Sequence, residues 1–469
     1  MHCKNQSLRS LSIALLLSIP HMLGASAVFA DKTLVANATI LTMAPDQPAP
    51  FRGYMLFDSS GIIALGAGDF AGSTAGFTLI DASSQVLMPG FVSGHNHLWQ
   101  SAFRGIAADG ELFPWLQSLH WTYGDDFSDG DFYAFTLQGA LDQLQHGITT
   151  TYSHSQRLGG SEAQYLESLQ ASLDAGQHFV FAYNSNLQQS DDAIRGDIAA
   201  LHERVKSLPS DSALLELSLN SVGAYKSEAK FALEMELARE YGMTVQIHYL
   251  EQFQRREKER EEWPMFQRVG AVAGSVSYAH FIHTTDAILE DTAAVGGAMI
   301  WNPLSNGRLA SGLADIPRYL KMGVGVGMGV DGAASADIAD PFENMRMGMY
   351  ALRMQRRDAS VMSPMQVLEL HTLATARVLG IDDRVGSLEP GKRADFLLLD
   401  LSLPVTGPVF DLPASIVFAA SAANITSVYV NGAERVAGGE IIAHDMVALN
   451  AEVEKRVAAI VSRVDGKGS

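Results

Sequence analysis

Two histidines that stand two residues apart are the first candidates for chemistry in this chain. His95 and His97 occur in "LMPGFVSGHNHLWQSAFRG", residues 87 to 105, directly after an apolar run. Side chains at positions i and i+2 of a β-strand point to the same face, so the two imidazoles converge. Converging imidazoles suit a divalent transition metal. Such a pair also arises by accident, and two ligands do not complete a site, so further donors are required.

Other titratable residues follow apolar runs of the same kind, namely His248, Glu251, His280 and Asp331. Neutral imidazole and carboxylate ligands suit Zn²⁺, with Fe²⁺ as the alternative, and leave a coordination position for water. Water bound in this way has a pKa of roughly 7, so hydroxide is present at neutral pH. The predicted ligands of one divalent metal are His95, His97, His248 and Asp331.

Glu251 and His280 are the predicted catalytic pair. Glu251 follows His248 in "HYLE", where it can take a proton from the water and pass it to a leaving nitrogen. His280 can hydrogen-bond the hydroxide or the developing oxyanion, and a loosely bound Asp331 can also accept a proton. Each residue taken singly is more often a satisfied polar group than a ligand. Their joint occurrence favours the functional interpretation, because every member falls at the same end of its own predicted strand.

The elements that must position these residues are eight apolar runs that alternate with helical stretches. The runs are "VLMPGFVSGH", "GITTTYSH", "HFVFAYN", "LLELSLN", "MTVQIHY", "SVSYAH", "GAMIWN" and "VGVGMGVD". This pattern predicts an α/β fold with a parallel (β/α)₈ TIM-like barrel, whose functional groups gather at the carboxyl ends of its strands. A doubly wound open sheet is the alternative, and the strand count favours closure.

Short strands and turns precede and follow the barrel pattern and predict a small β-sandwich domain built from both chain ends. We assign residues 31–87 and 386–445 to this domain, 88–385 to the barrel and 446–469 to a C-terminal helix. Residues 1–30 have the form of a secretory signal, with Lys4 and Arg9 before an uncharged apolar run. We expect cleavage near Ala30 and a secreted or periplasmic protein; an uncut membrane anchor is the alternative.

The composition of the 469-residue chain, with 47% hydrophobic and 18% charged residues, is typical of a soluble globular protein. The single cysteine, Cys3, would leave with the signal, so no disulfide or thiolate metal site is expected. Signal removal also takes away two basic residues and changes the formal net charge from −19 to −21. Such an acidic surface argues against nucleic acid or an anionic membrane as the partner.

Longer motifs resemble the amidohydrolase superfamily, in particular its branch of cytosine, guanine and S-adenosylhomocysteine deaminases and triazine hydrolases. The motifs are "PGFVSGHNHL", "HYLE", "YAHF", "NPLSNGRLASG", "VGMGVDGAAS" and "VGSLEPGKRADFLLLD". The resemblance covers about Thr33 to Gly439 and implies the same fold, the same metal ligands, the same catalytic pair and a homo-oligomer. Many relatives with two metals carry a carboxylated lysine after the fourth strand, whereas "LLELSLNSVG" has no lysine, so the resemblance implies a mononuclear site.

Substrate selection is expected from the loops that follow the strands. Flat aromatic residues near a metal suit a planar heterocycle, although they are also ordinary core residues. The candidates for substrate binding are Trp99, Gln100, Trp115, His154 and Asn302, with Phe113, Trp121 and Asn306 nearby. For His154 and Asn302 a loop-structuring role is the alternative. The segment "SHSQ" departs from the pattern expected of adenosine-type deaminases and argues against a nucleoside substrate.

Gly327, Gly329 and Gly332 match the G-x-G-x-x-G dinucleotide fingerprint. They lie on and just after the last barrel strand instead of opening an early helix, so we expect them to permit close packing. The leading functional hypothesis is a metal-dependent deaminase of a small N-heterocycle. The alternatives are an amidase or cyclic-amide hydrolase with the same site, and a noncatalytic periplasmic metal- or heterocycle-binding protein.

Overall fold

The computed structural model describes residues 32–155 and 163–467. The predicted signal and its cleavage position at Ala30 lie outside the described residues. The strands, numbered in chain order, are β1 (Thr33–Ile40), β2 (Phe51–Asp58), β3 (Gly61–Ala67), β4 (Thr78–Asp81), β5 (Gln85–Pro89), β6 (Phe91–Asn96), β7 (Ile148–His154), β8 (His178–Asn184), β9 (Leu214–Asn220), β10 (Thr244–Tyr249), β11 (Val276–His280), β12 (Ala298–Trp301), β13 (Gly325–Met328), β14 (Phe396–Asp400), β15 (Ile425–Val430), β16 (Ala433–Ala437) and β17 (Glu440–Ile441).

Helices cover the barrel and connect its strands. They are α1 (Leu112–Leu116), α2 (Asp131–Gln145), α3 (Ala163–Ala175), α4 (Asp191–Lys206), α5 (Glu228–Glu240), α6 (Arg256–Val269), α7 (Asp286–Ala294), α8 (Pro303–Arg308), α9 (Ile316–Met322), α10 (Pro341–Arg356), α11 (Pro364–Leu370), α12 (Leu373–Leu379), α13 (Leu412–Ala419) and α14 (Met446–Lys467). Within residues 32–155 and 163–467, none of these helices combines the length and the apolar character that crossing a membrane requires.

The eight predicted runs form a parallel sheet in sequential order from β6 to β13, which confirms the barrel. Every residue of β7 and β8 is buried, as expected of strands covered on both faces. The last strand meets the first where the backbone N–H of Asp331 donates to the carbonyl of His95 at 3.0 Å. The same closure is supported by the N–H of Val330, which donates to Ser93 Oγ at 3.1 Å.

The β segments from both chain ends form a second sheet, which confirms a domain built from the two termini. Its hydrogen-bonded order is β17-β16-β15-β14-β5-β1-β2-β3, with β4 paired to β1. The first predicted run is divided between the two sheets, because Gln85–Pro89 pairs with β14 while Phe91–Asn96 enters the barrel. Gly90 lies at the crossing, where a Cβ atom would stand 2.1 Å from Thr149 Oγ1.

The long connection from β6 to α2, residues 97–130, carries its own hydrophobic cluster. Trp99, Phe103 and Phe132 pack there together with Val453 and Ile460 of α14. Arg456 of α14 pairs with the buried Asp131 carboxylate at 2.9 Å. The C-terminal helix therefore supports the connection that leads out of the first barrel strand.

Candidate active site

Three strands, β6, β10 and β13, deliver the predicted metal ligands to the carboxyl-terminal mouth of the barrel. His97 Nε2 lies 3.2 Å from His248 Nε2. Asp331 Oδ1 lies 3.4 Å from His95 Nε2 and 3.6 Å from His97 Nε2. The structure thus brings together two overlapping donor groups that share one imidazole: His95, His97 and His248 form the first, and His95, His280 and Asp331 form the second.

The chemistry of this donor set fits a divalent cation. Two nitrogens bound to one tetrahedral zinc ion at its usual bond length lie about 3.3 Å apart, close to the spacing of His97 and His248. His95 Nε2 is buried and has no hydrogen-bond partner among the described residues. Burial lowers the pKa of His97 to about 3, with the neighbouring His95 acting in the same direction. The imidazole therefore remains neutral, which is the form that binds metal.

Asp331 is held in its ionised form by hydrogen bonds. Ser305 Oγ donates to Asp331 Oδ2 at 2.6 Å, and the backbone N–H of Gly332 donates to Oδ1 at 2.7 Å. Hydrogen bonds to the charged form of a carboxyl favour that form. The Oδ1 atom, which faces the histidines, is thus an available anionic ligand.

Of the predicted catalytic pair, His280 belongs to the second donor group and Glu251 lies next to it. His280 Nδ1 is 3.8 Å from Glu251 Oε1, and His280 Nε2 is 3.9 Å from Asp331 Oδ2. Burial raises the pKa of Glu251 to about 8, and the nearby Asp331 charge adds to the shift. Asn306 Nδ2 donates to His280 Nδ1 at 2.8 Å. The neutral His280 ring therefore carries its proton on Nε2, the nitrogen on the Asp331 side.

A cavity of about 350 Å³ opens onto these groups. Its wall includes His97, His248, Glu251, His280 and Asp331 together with apolar side chains, most of which come from the connection after β6. The apolar and aromatic lining residues are Leu112, Phe113, Trp115, Leu116 and Leu309. A mostly apolar pocket with a few convergent polar groups is the usual form of a small-molecule site.

The predicted substrate residues divide into two groups. Gln100 and Trp115 line the cavity. Trp99 instead packs in the hydrophobic cluster of the β6–α2 connection, because its ring contacts Phe103, Phe127 and Phe132. His154 is buried against His95, and Asn302 lies beside His280, with Nδ2 3.4 Å from His280 Nδ1. These three residues are not among those that line the cavity.

Several residues of the site had no predicted role. Tyr225, His120 and Arg255 line the cavity, and the Tyr225 hydroxyl donates to the His248 carbonyl at 2.6 Å. Gln246 hydrogen-bonds the His95 ring from below the metal donors. Its signal was present in the sequence, because Gln246 stands two residues before His248 and so shares its face of the strand.

The backbone at the site adopts conformations that side chains other than glycine rarely take. Leu250, His280 and Asp331 have φ angles of 53°, 68° and 60°. Non-glycine residues in this region concentrate at functional sites. The glycines of the G-x-G-x-x-G match serve close packing, as predicted: a Cβ atom on Gly329 would lie 2.8 Å from the His95 backbone nitrogen, and one on Gly332 would lie 1.9 Å from Gln100 Oε1.

Comparison with known proteins places this architecture in a family. The model of the amidohydrolase family matches residues 86–435, which is most of the chain. The chain belongs to the amidohydrolase family. It is a metal-dependent hydrolase of carbon–nitrogen bonds, so the hypothesis of a noncatalytic binding protein is set aside.

Relatives of this amidohydrolase align with it over nearly their whole length. A 5'-deoxyadenosine deaminase of Methanosarcina mazei is 27% identical over 92% of this chain and 99% of its own. A 5-methylthioadenosine/S-adenosylhomocysteine deaminase of Desulforudis audaxviator is 29% identical over 92% and 100%, respectively.

Solved structures agree on the fold of the amidohydrolase. An adenosine deaminase from Xanthomonas campestris with bound zinc superposes with a TM-score of 0.82 at 23% identity, covering 92% of this chain and 99% of that one. The atrazine chlorohydrolase of Arthrobacter aurescens TC1 complexed with zinc gives a TM-score of 0.79 at 21% identity, covering 91% and 100%.

Proposed function

We propose that this amidohydrolase deaminates a small N-heterocycle and that it uses one divalent metal ion, zinc in preference to iron(II). The observation that carries the proposal is the position of Glu251. This carboxyl lines the cavity next to His280, on the same side as the donor atoms of His95, His97, His248 and Asp331. The deaminases among its relatives and the zinc-containing neighbours support the proposal.

A divalent ion held by the three histidines and Asp331 supplies Lewis-acid chemistry, which activates water as a nucleophile at neutral pH. Glu251 moves the protons. It accepts one as water attacks the ring carbon that bears the amino group, and it returns one to the nitrogen that leaves as ammonia. Burial supports this task, since a raised pKa lets the Glu251 carboxyl hold a proton near neutral pH.

His280 stabilises the charge that develops during the attack. Its Nε2–H, fixed by the hydrogen bond from Asn306 to Nδ1, is available to donate to oxygen on the reacting carbon. Burial lowers the pKa of His280 to about 3, so the ring donates as a neutral imidazole. The residue therefore serves as a hydrogen-bond donor and leaves proton transfer to Glu251.

The cavity favours a planar substrate with an apolar part. Phe113 and Trp115 supply aromatic surface, and the Trp115 indole is fixed because Nε1 donates to the Ala334 carbonyl at 2.7 Å. Gln100 offers a buried amide oxygen with no partner among the described residues. A ring that enters beside Trp115 can thus pack one face and form a hydrogen bond with its edge.

The test measures ammonia release by the purified, zinc-loaded enzyme from aminated purines, pterins, triazines and cytosines. Glu251→Gln is expected to keep its metal content while kcat falls by about 10²- to 10⁴-fold on the preferred substrate. Metal analysis of both proteins accompanies the assay. Full activity of Glu251→Gln, or purified wild-type protein that binds no divalent metal, would contradict the proposal.

The amidase alternative is an outcome of the same experiment when hydantoins and other cyclic amides are added. Hydrolysis of an amide produces a new carboxylate, whereas deamination releases ammonia without one. A carboxylic acid product with no ammonia from any aminated heterocycle would assign the site to amide hydrolysis.

We further propose that the enzyme is exported and cleaved near Ala30, and that it acts as a homo-oligomer on a small heterocyclic or amide substrate. The basic start and the uncharged apolar run of residues 1–30 support export. Mass spectrometry of the protein from a periplasmic fraction is expected to show Asp31 at the N-terminus, and light scattering gives the number of subunits. An intact Met1 start in the cytoplasmic fraction would refute export.

A further inference from the structure

A buried glutamine lies below the predicted metal ligands and contacts three other strands. Gln246 is fully buried on β10. Its Oε1 lies 2.6 Å from His95 Nδ1 and 2.7 Å from His154 Nε2. Its Nε2 donates to the Gly94 carbonyl at 2.9 Å and to Ser277 Oγ at 3.2 Å. Each of the two acceptor and two donor positions of this amide therefore has a partner.

These contacts determine which way the amide faces. The Gly94 carbonyl oxygen can only accept, so the amide nitrogen must be the atom opposite it. Oε1 then faces the two imidazoles. Because Oε1 also only accepts, His95 carries a proton on Nδ1 and His154 carries a proton on Nε2.

The consequence for His95 is a free lone pair on Nε2. This nitrogen is buried, has no hydrogen-bond partner among the described residues, and lies 3.4 Å from Asp331 Oδ1. His95 is also the residue common to both donor groups. Orientation of a ligating imidazole through its other ring nitrogen is the usual way in which surrounding residues tune a metal site.

The same amide acts on His154. With its proton on Nε2, the ring keeps a lone pair on Nδ1, which is buried and without a partner among the described residues. Its ring centroid lies 4.6 Å from that of His95 and 4.8 Å from that of His97. His154 is thus held as a neutral ring packed against two of the ligands.

We propose that Gln246 is a positioning residue whose single amide sets the tautomers of His95 and His154 and thereby prepares His95 Nε2 for the metal. The inference rests on the metal site of the proposed function. It concerns the tautomer and the orientation of the rings, and it assigns Gln246 no contact with substrate.

The test compares zinc affinity, measured by competition with a chromophoric chelator on the metal-free protein, in three variants. Gln246→Met keeps the length of the side chain and removes the acceptor, so zinc affinity is expected to fall by about 10- to 100-fold. Gln246→Glu keeps an acceptor for both rings, and in its protonated form its O–H replaces the amide nitrogen as the donor to the Gly94 carbonyl, so zinc affinity is expected to stay within about threefold of wild type. The visible spectrum of the cobalt(II)-loaded proteins is expected to change in Gln246→Met alone.

The matched control is Gln177→Met. Gln177 is a buried glutamine that donates to the Ile148 carbonyl at 2.7 Å and to Gln143 Oε1 at 3.2 Å, with no histidine among these partners. This variant is expected to lose stability while keeping wild-type zinc affinity. Equal affinity of Gln246→Met and wild type, or equal losses in Gln246→Met and Gln177→Met, would overturn the inference.

Two outcomes separate this inference from the proposed function. Wild-type protein that binds no zinc refutes the metal site itself. If wild-type protein binds zinc and Gln246→Met binds it with equal affinity, only the role of Gln246 is refuted. If Gln246→Met does not fold, Gln246→Glu decides: affinity near wild type supports the acceptor role, and a tenfold or greater loss contradicts it.

Discussion

His95 and His371 are both completely buried, but their ring nitrogens differ in hydrogen bonding. His371 Nδ1 bonds the Val92 carbonyl at 3.0 Å, and its Nε2 accepts from Asn344 Nδ2 at 3.2 Å. His95 is bonded through Nδ1 only, and its Nε2 has no partner among the described residues. Buried polar atoms are normally paired. The comparison teaches that burial alone does not identify a functional histidine, whereas convergence of its ring with other donor atoms does.

A second structural histidine lies near the sheet built from the chain ends. His178 Nδ1 is 2.6 Å from Asp395 Oδ2, and the other oxygen of Asp395 accepts from the Asn431 N–H at 2.8 Å. This pair links the first residue of β8 to the residue before β14. We interpret His178 and His371 as residues that stabilise the fold, in contrast to the histidines at the barrel mouth.

The largest expected effect is a difference in enzymatic activity between substitution of a predicted metal-binding histidine and substitution of a structural histidine. His248→Ala is expected to lose bound metal and to lower kcat/KM by roughly 10³-fold, because a predicted metal ligand is removed. His371→Ala is expected to keep its metal and to lose about 2–4 kcal/mol of unfolding free energy, since two hydrogen bonds and buried volume disappear. Metal analysis, kinetics and chemical denaturation measure the contrast. Loss of bound metal in His371→Ala would contradict the expected difference between the two variants.

The next effect is on stability. Asp395→Ala leaves His178 and the Asn431 N–H without their partner in a buried site, so we expect a loss of about 3–5 kcal/mol of unfolding free energy. The control is Glu369→Ala, which removes an ion pair to Arg377 whose side chains are each 44% exposed and costs about 0–1 kcal/mol. Urea denaturation gives both values. An unchanged metal content in Asp395→Ala is part of the expectation.

A buried carboxyl group outside the active site is expected to make the stability of the protein depend on pH. Glu234 is fully buried, and its Oε2 accepts from Ser221 Oγ and the Gly223 N–H at 2.7 Å each. Burial raises the pKa of Glu234 from 4.5 to about 7, so the native state holds this proton more tightly than the unfolded state. The stability that this proton contributes is present below pH 4.5 and is lost as the pH rises through 7.

Between pH 5 and pH 8 this group is expected to reduce the free energy of unfolding by about 2–3 kcal/mol. Glu234→Gln keeps an acceptor for Ser221 and Gly223 but does not titrate, so its stability is expected to fall less over the same range. Denaturation at both pH values measures the difference between the two proteins. Parallel pH dependence of wild type and Glu234→Gln would show that the buried carboxyl does not act in this way.

The smallest effect concerns the backbone of a predicted ligand. Tyr225→Phe removes the hydroxyl that donates to the His248 carbonyl, which is worth about 1 kcal/mol, or roughly fivefold in zinc affinity. Tyr133→Phe is the control, because its hydroxyl bonds Asp174 Oδ2 at 2.8 Å on the protein surface. Chelator competition compares the two variants. Equal zinc affinity of Tyr225→Phe and Tyr133→Phe would show that the Tyr225 hydroxyl does not support the metal site.

The barrel was predictable because each of its strands can be recognised from a short stretch of sequence. The runs "HFVFAYN" and "LLELSLN" coincide with β8 and β9 residue for residue. The first is a nearly continuous apolar stretch, as a strand covered on both faces needs, and the second alternates apolar with polar residues. The exact division of the first run at Gly90 was not predictable in the same way. The sequence placed the boundary between residues 87 and 88, whereas pairing with β14, more than 300 residues later, assigns Met88 and Pro89 to the other sheet as well.

The tryptophans after β6 show a similar limit. Trp99 and Trp115 have the same chemistry and belong to the same hydrophobic cluster, yet only Trp115 also lines the cavity. The direction of each ring depends on neighbours distant in sequence. Local composition therefore indicated an aromatic wall without indicating which ring forms it.

Residue type and strand periodicity are properties of short segments, and they were enough to predict the barrel, its mouth and the histidines and carboxylates that gather there. Whether each buried imidazole nitrogen is hydrogen-bonded or unpaired could not be predicted in this way. Whether an imidazole has a free lone pair depends on partners such as Gln246 and Asn306, which reach it from other strands and loops. Hydrogen bonds are short and directional, so only the folded arrangement decides which atoms are paired and which remain for a metal or a substrate.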